Sequence, residues 1–227
     1  MTEITRGPVA RVGVDLSKRV YQVHAVDRTG RVLLARPMSP RRFFEWCARL
    51  PDACIVAMET CGGAHHVARG LRLLGLDARL VAGHFVTPYR MAGKSGKNDA
   101  NDAAAICEAA GRPHMRFVPV KTAEQQGQLA VHRLREGFKE ERTALINRIR
   151  GLLAEFGLVF TQGPEVLRRV LADVIEDAAN ELPGAARLAL QRAQLHWIDI
   201  DLQIAWCDER IAEHERIRGK LGNTVSA

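Results

Sequence analysis

The sequence predicts an α/β domain followed by an all-α, coiled-coil-like helical extension. Three observations lead there. Short strand-like runs separated by turn signals fill the first third of the chain. A continuous apolar run, "ACIVAM" at 53–58, suits a strand buried on both faces. From about residue 122 the apolar residues recur instead at three- and four-residue steps, the period of a helix. The expected division is an α/β domain over 8–120, a helical segment over 121–220 and a tail at 221–227.

The elements follow in order. "ARVGVDLS" alternates small and branched apolar residues up to Asp15, and "VYQVHAVD" resumes the pattern two residues later. "DRTG" at 27–30 is a turn signal, and "RVLLA" reads as a third strand, so the opening is an antiparallel meander. "PRRFFEWCARL" predicts a helix near 40–50, with Pro40 suited to its first turn. "ACIVAM", a helix over about 64–75 and the strand "DARLVA" at 77–82 form a strand–helix–strand unit, which implies a parallel crossover. In the second half, Val131, Leu134, Phe138, Leu145, Ile149, Leu152 and Phe156 mark the apolar stripe of a long helix. "TQGP" at 161–164 breaks it, a shorter helix covers about 165–180, and "LPG" at 182–184 breaks again. The last helix, about 185–218, carries Leu190, Trp197, Ile204 and Ile211 at seven-residue spacing, with Ala193, Ile200 and Cys207 between them. That heptad pattern fits a hairpin folding on itself and an intermolecular coiled coil equally well.

Composition sets the class. Of 227 residues, 47% are hydrophobic and 26% charged, the balance of a globular chain rather than a disordered one. The formal net charge of +7 is unevenly placed: residues 1–120 hold 18 Lys/Arg against 10 Asp/Glu, and residues 121–227 hold 15 against 16. A one-sided basic excess favours a polyanionic partner, most often nucleic acid. The five cysteines are odd in number and none has CxxC spacing, which excludes a disulfide framework or zinc ribbon. No apolar run reaches 18 residues and the N-terminal "MTEITRGPVARVGVDL" lacks an apolar signal core, so a cytoplasmic protein without a membrane segment is expected.

Four acids stand out by position. Asp15 ends the first strand, Glu59 ends the buried strand, and Asp99 and Asp102 open a helix in "KSGKNDANDAAAICEAA". In an open sheet these places converge on one rim. Clustered carboxylates repel one another, and a divalent cation removes that cost. Mg²⁺ prefers a few carboxylate oxygens plus substrate phosphate, and a pair of such ions serves phosphodiester chemistry. Asp99 and Asp102, three residues apart, share a helix face near its positive end. The alanines after them let the helix lie close to the sheet. A D-x-x-D pair standing alone is commonly plain helix capping; the combination with two strand-end acids and a basic loop is rarer.

The stretches "GVDLSKRVYQVHAVD", "METCGGAHHVARGLRLLGLDARLV" and the run from "VTPYRMAGKSGKNDANDAAAICEAAG" through "GLVFTQG" resemble the insertion-sequence 110 family of transposases, which includes the Piv-type DNA invertases. The resemblance covers about residues 10–215. It implies a RuvC/RNase H-like domain whose D-E-D-D tetrad falls on Asp15, Glu59, Asp99 and Asp102, binding Mg²⁺ (or Mn²⁺) and acting catalytically, followed by a coiled-coil-like helical segment. It further implies DNA and a structured guide (bridge) RNA as partners, homo-oligomers of two or more chains through the helical segment, and a bacterial cytoplasmic protein that joins the nucleoid when bound to DNA. The family also carries a C-terminal serine domain. Here only "GKLGNTVSA" follows the last predicted helix, and Ser226 sits in no recognisable motif. The expectation is therefore a chain lacking that domain: either the catalytic portion of a recombinase for DNA strand cleavage and exchange, or a truncated, inactive remnant that binds nucleic acid or partner chains.

For nucleic-acid contact the candidates are Lys18 beside Asp15, Arg90 with Lys94 and Lys97 around "PYR", and Arg133, Arg142 and Arg148 on the long helix. Plainer roles compete: Ser17 and Lys18 in a solvated turn, Tyr89 packed on the domain, His65 and His66 on a helix surface, Trp46 and Trp197 in packing. An actin-like or sugar-kinase fold would also open with "GVDLSKRVYQVHAVDRTGRV". It requires glycine-rich phosphate loops in a second half, and residues 122–218 read as helices instead.

Overall fold

Alternation along the first forty residues produces the expected meander. Strands β1 (Arg11–Leu16), β2 (Tyr21–Val26) and β3 (Val32–Met38) pair antiparallel in sequence. The β2–β3 turn is closed by Asp27, whose carboxylate accepts from the Thr29 N–H at 2.8 Å, the Thr29 hydroxyl at 2.7 Å and the Arg31 N–H at 3.0 Å. The chain is described by a computed structural model over residues 8–90, 99–160 and 163–224, the side chains of 99–100 and 218–224 excepted. It divides into two units at residues 123/124.

In the first unit, helix α1 (Pro40–Cys47) starts at Ser39, whose hydroxyl accepts from the Arg42 N–H. Strand β4 (Ile55–Glu59), helix α2 (Ala64–Leu73) and strand β5 (Asp77–Val81) complete the crossover, with β4 parallel to both β1 and β5. A short helix α3 (Gly83–Val86) and a 3₁₀ turn (Thr87–Tyr89) lead to helix α4 (Asp99–Ala110). Strand β6 (Phe117–Val118) adds an antiparallel edge beside β5 that the sequence did not signal. The sheet order is β3-β2-β1-β4-β5-β6. This is the α/β architecture the RuvC-like resemblance implies.

Successive strand residues point to opposite faces, and the sheet is buried on both. Val12, Val14, Val56 and Met58 join Phe43 of α1 and Leu71 of α2 in one cluster. Ala57 and Val81 join Ala105, Ile106 and Ala109 of α4 in another. Trp46 is buried in the first of these, as a packing residue.

The second unit holds helices α5 (Ala123–Ala154), α6 (Pro164–Glu176) and α7 (Gly184–Thr224). Gly157, at φ 75°, closes α5: its N–H reaches Ala154 O and the Leu158 N–H reaches Leu153 O, the paired bonds of a Schellman end. Helix α6 stops four residues earlier than expected because the Asp177 carboxylate takes the Ala179 N–H at 2.8 Å and the Asn180 amide bonds the Val174 carbonyl at 2.6 Å.

The heptad residues Leu190, Trp197 and Ile204 are buried with Leu145, Ile149 and Leu153 of α5 and Leu167 and Leu171 of α6. Arg142 pairs with Asp201 and Arg135 with Asp208, each seven residues from the next and in opposite order, so α5 and α7 run antiparallel. The chain thus uses this heptad face for its own hairpin. The α5 stripe differs from the expected one: Leu134 and Leu152 are 52% and 42% exposed, and Ile146 and Leu153 are buried instead. Either Leu152 or Leu153 fits a 3.6-residue period after Ile149, and the tertiary core takes Leu153.

Candidate functional site

The site grows from the carboxyl ends of two neighbouring parallel strands. β1 and β4 are in register at Gly13↔Ala57 and Val14↔Met58. One residue further, Asp15 adjoins Glu59. Both lie on the face opposite Val14 and Met58, which is the face covered by α4.

Helix α4 lies directly on β1 because Gly13 has no side chain. A Cβ added there would stand 2.2 Å from the Ala103 carbonyl oxygen, 2.4 Å from the Cys107 nitrogen and 2.6 Å from its Cβ. Further down the strand, the Arg11 guanidinium lies against Gly111. Ascending β1 from Arg11 to Gly13 therefore descends α4 from Gly111 to Cys107 and Ala103. The same progression brings the first turn of α4 to the level of Asp15. Asp102 lies in that turn, three residues after Asp99.

Arg90, just past the 3₁₀ turn, binds two of these acids at once. Its Nη2 donates to Glu59 Oε2 at 2.9 Å, and its Nε stands 2.8 Å from Asp102 Oδ1. The second contact is an ion pair lying outside hydrogen-bond angles. The three side chains are 35%, 26% and 18% exposed, a partly buried cluster. Glu59 is also seated by Gly83: a Cβ at that glycine would lie 2.3 Å from Glu59 Oε1. Cys61, the one exposed cysteine among the five, borders the same rim. Burial pushes its thiol pKa up, and the charges of Asp15 and Glu59 push it further.

Glu59 and Asp102 are thus joined through Arg90, and Asp15 follows the last paired residue of β1 on the strand beside Glu59. Asp99 opens α4, and its side chain lies outside the described residues, as do Lys94 and Lys97. Lys18 is exposed in the β1–β2 turn, where the Ser17 hydroxyl accepts from the Val20 N–H. Arg133 and Arg148 are exposed on α5, whereas Arg142 is held 3.1 Å from Asp201. Tyr89 packs under the Arg112 guanidinium, and His65 Nδ1 accepts from the Lys121 N–H.

Sequence reading missed the two glycines that seat α4 and Glu59, and the double contact of Arg90. It also missed a cleft of about 600 Å³ between β3 and α1, where exposed Arg36, Arg42 and Arg49 converge. The "PRRFFEWCAR" run carried that signal, with Arg42 on α1 and Arg49 in the turn just after it.

Among the described residues, no three His, Cys, Asp or Glu side chains are drawn together tightly enough to form a metal centre. The donor set nevertheless fits a hard divalent cation. It is made of carboxylate oxygens, and a positive group, the Arg90 guanidinium, already lies between two of them.

A family model described as a transposase, the DEDD type of insertion sequence 110, matches residues 12–157. A Pseudomonas aeruginosa relative named "Probable family 20 transposase" is 43% identical over 209 residues, 92% of this chain and 61% of its own. The transposase for insertion sequence element IS1328 of Yersinia enterocolitica is 37% identical over 91% of this chain and 60% of its own. The transposase for insertion sequence element IS1111A of Coxiella burnetii is 44% identical over 67% of this chain and 41% of its own. The chain therefore spans about half the length of the curated relatives it matches.

Proposed function

The chain belongs to the insertion-sequence 110 family of DEDD transposases, and on that premise we propose that its α/β unit is the metal-dependent part of a DNA transposase. Asp15, Glu59, Asp99 and Asp102 hold Mg²⁺ or Mn²⁺, and the unit works on DNA phosphodiesters. The observation that supports this reading is the seating of α4 on Gly13, together with the Arg90 guanidinium that contacts both Glu59 and Asp102. A divalent cation held there would supply Lewis-acid chemistry for phosphodiester cleavage. The protein's share is to present Asp15 from β1, Glu59 from β4 and Asp102 from α4, with α4 covering that face of the sheet.

DNA and a structured guide RNA are the proposed partners. Lys18, the arginine cleft beside α1, and Arg133 and Arg148 of α5 supply phosphate contacts, and Lys94 and Lys97 are added from the sequence alone; Arg142 shares its guanidinium with Asp201. Specific binding of this kind weakens steeply with salt. Self-association is proposed through α7. Leu188, Leu195, Ile198, Leu202 and Trp206 are all at least 45% exposed and form a stripe opposite the buried heptad face, suited to the same stripe of a second copy. Among the described residues no helix is long and apolar enough to cross a membrane. A cytoplasmic setting, with nucleoid association on DNA, completes the reading.

The test is an Mn²⁺ titration of the chain beside Asp15→Asn with Asp102→Asn. Loss of a stoichiometric site in the double variant is expected. Equal binding by both proteins would falsify the tetrad.

A further inference from the structure

We propose that Arg90 is the built-in counter-cation of the carboxylate rim: it holds Glu59 and Asp102 together while no metal is bound, and must release them for a divalent cation to enter. This rests on the reading that the rim binds such a cation.

The geometry is specific. Glu59 belongs to β4 and Asp102 to α4, so without a positive group their like charges would push strand end and helix start apart. Arg90 meets them with two different nitrogens, Nη2 hydrogen-bonded to Glu59 at 2.9 Å and Nε in an ion pair with Asp102 at 2.8 Å, so one guanidinium offsets both charges. Partial burial of all three keeps solvent from screening the contact away.

One short segment carries the whole arrangement. Gly83 seats the Glu59 carboxylate. The Thr87 hydroxyl bonds the Gly83 carbonyl at 3.0 Å, and the Arg90 N–H bonds the Thr87 carbonyl at 3.2 Å. The counter-charge and the seat of the carboxylate it neutralises are therefore tied together through three residues.

A divalent ion held by Glu59 and Asp102 would bring two positive charges to carboxylates that the guanidinium already engages, so the two would compete. A displaced Arg90 retains its fork beside the metal, where a bidentate partner for a phosphodiester is useful. Arg90 therefore has two effects of opposite sign: it weakens metal binding in the free protein, and it strengthens nucleic-acid binding once metal is present.

The experiment uses the full chain and its Arg90→Gln and Arg90→Lys variants, with folding checked by circular dichroism. Mn²⁺ binding is read from the EPR signal of the free ion, and binding of a labelled duplex oligonucleotide is read at saturating Mn²⁺. Arg90→Gln should bind Mn²⁺ about tenfold tighter, the usual scale of coupling between two ligands. It should bind the duplex more weakly, and Arg90→Lys should fall between. Folded Arg90→Gln with unchanged or weaker Mn²⁺ binding overturns the proposal, provided the wild type binds Mn²⁺ in a way that Asp102→Asn abolishes. No Mn²⁺ site in either wild type or Arg90→Gln overturns the metal reading and this proposal together. If Arg90→Gln does not fold, the wild-type Arg90 Nε–H resonance decides: it should shift as Mg²⁺ is added, and an unmoved signal at saturation refutes the displacement.

Discussion

Gly13→Ala tests the frame on which the site stands. The added methyl would sit 2.2 Å from the Ala103 carbonyl oxygen and 2.4 Å from the Cys107 nitrogen, where ordinary contacts are 3.4–4 Å. Both obstacles are backbone atoms of α4, so no side-chain rotation relieves the clash. The helix must lift by about 1 Å, on the scale of overpacked cores that cost about 3 kcal/mol. For a unit of this size that is a fall of about 10 °C in Tm. The lift carries Asp102 away from Glu59 and Asp15, and misplacement of about 1 Å in a reacting site costs about 100-fold. The assays are thermal unfolding and Mn²⁺ titration, with Gly62→Ala as control, since a methyl there meets nothing within 4 Å. If Gly13→Ala melts and binds Mn²⁺ like the wild type, then α4 is not held by this contact and the argument from it collapses.

Three further outcomes are expected. Gly83→Ala collides with the flexible end of Glu59 rather than with backbone, so stability should change by less than about 1 kcal/mol while Mn²⁺ affinity drops; a large loss of stability with intact affinity contradicts this. His24 pairs with Gly13 under α4, and its pKa is lowered by burial first and by Arg11 second. The unfolded chain therefore takes up its proton first, and His24's contribution to stability is complete above about pH 6.5 and is lost as pH falls toward the folded value. Melts between pH 7.5 and 5 should show that loss, and His24→Gln should flatten it. Iodoacetamide should modify Cys61 before the four buried cysteines, and Glu59→Gln should speed the reaction at pH 8 by removing one of the charges that raise the thiol's pKa. An unaltered rate in Glu59→Gln would place the thiol beyond the reach of that carboxylate.

What could be read from sequence was what is local. The turn at 27–30 is written in Asp27, which bonds residues two and four ahead of it. The strand-end acids were legible because strand polarity and a parallel crossover fix which ends share a rim. Two-residue β6 was not, since its pairing with β5 depends on a neighbour some 36 residues away rather than on its own pattern. Arg90 was read as a nucleic-acid contact from its basic neighbours. Its partners lie 31 and 12 residues away, and nothing in the spacing reveals that α4 and β4 bring them to it. Gly13 looked like one small residue in an alternating strand; only the helix above it shows why no other residue fits. The heptads of α7 showed which face would be buried but not against what, because a hairpin and a coiled coil demand the same residues.

The distribution of charge acquires a physical meaning from these contacts. In the helical unit the basic residues face acids that hold the helices: Arg142 and Arg168 both contact Asp201, Arg135 contacts Asp208, and Lys139 contacts Glu136. Of these pairs, Arg135–Asp208 and Arg142–Asp201 join α5 to α7 and Arg168–Asp201 joins α6 to α7, whereas Lys139–Glu136 lies within α5. In the α/β unit, acids do not match the excess. Arg41 has Glu45, Arg79 has Asp77 and Arg112 has Glu108, while Arg42 and Arg49 line a cleft together with Arg36. Arg90 differs from these in contacting two carboxylates at once. A polyanion approaching the chain is drawn to the α/β unit by its uncompensated charge. A metal that released Arg90 would free one more cation on that surface, beside Glu59 and Asp102.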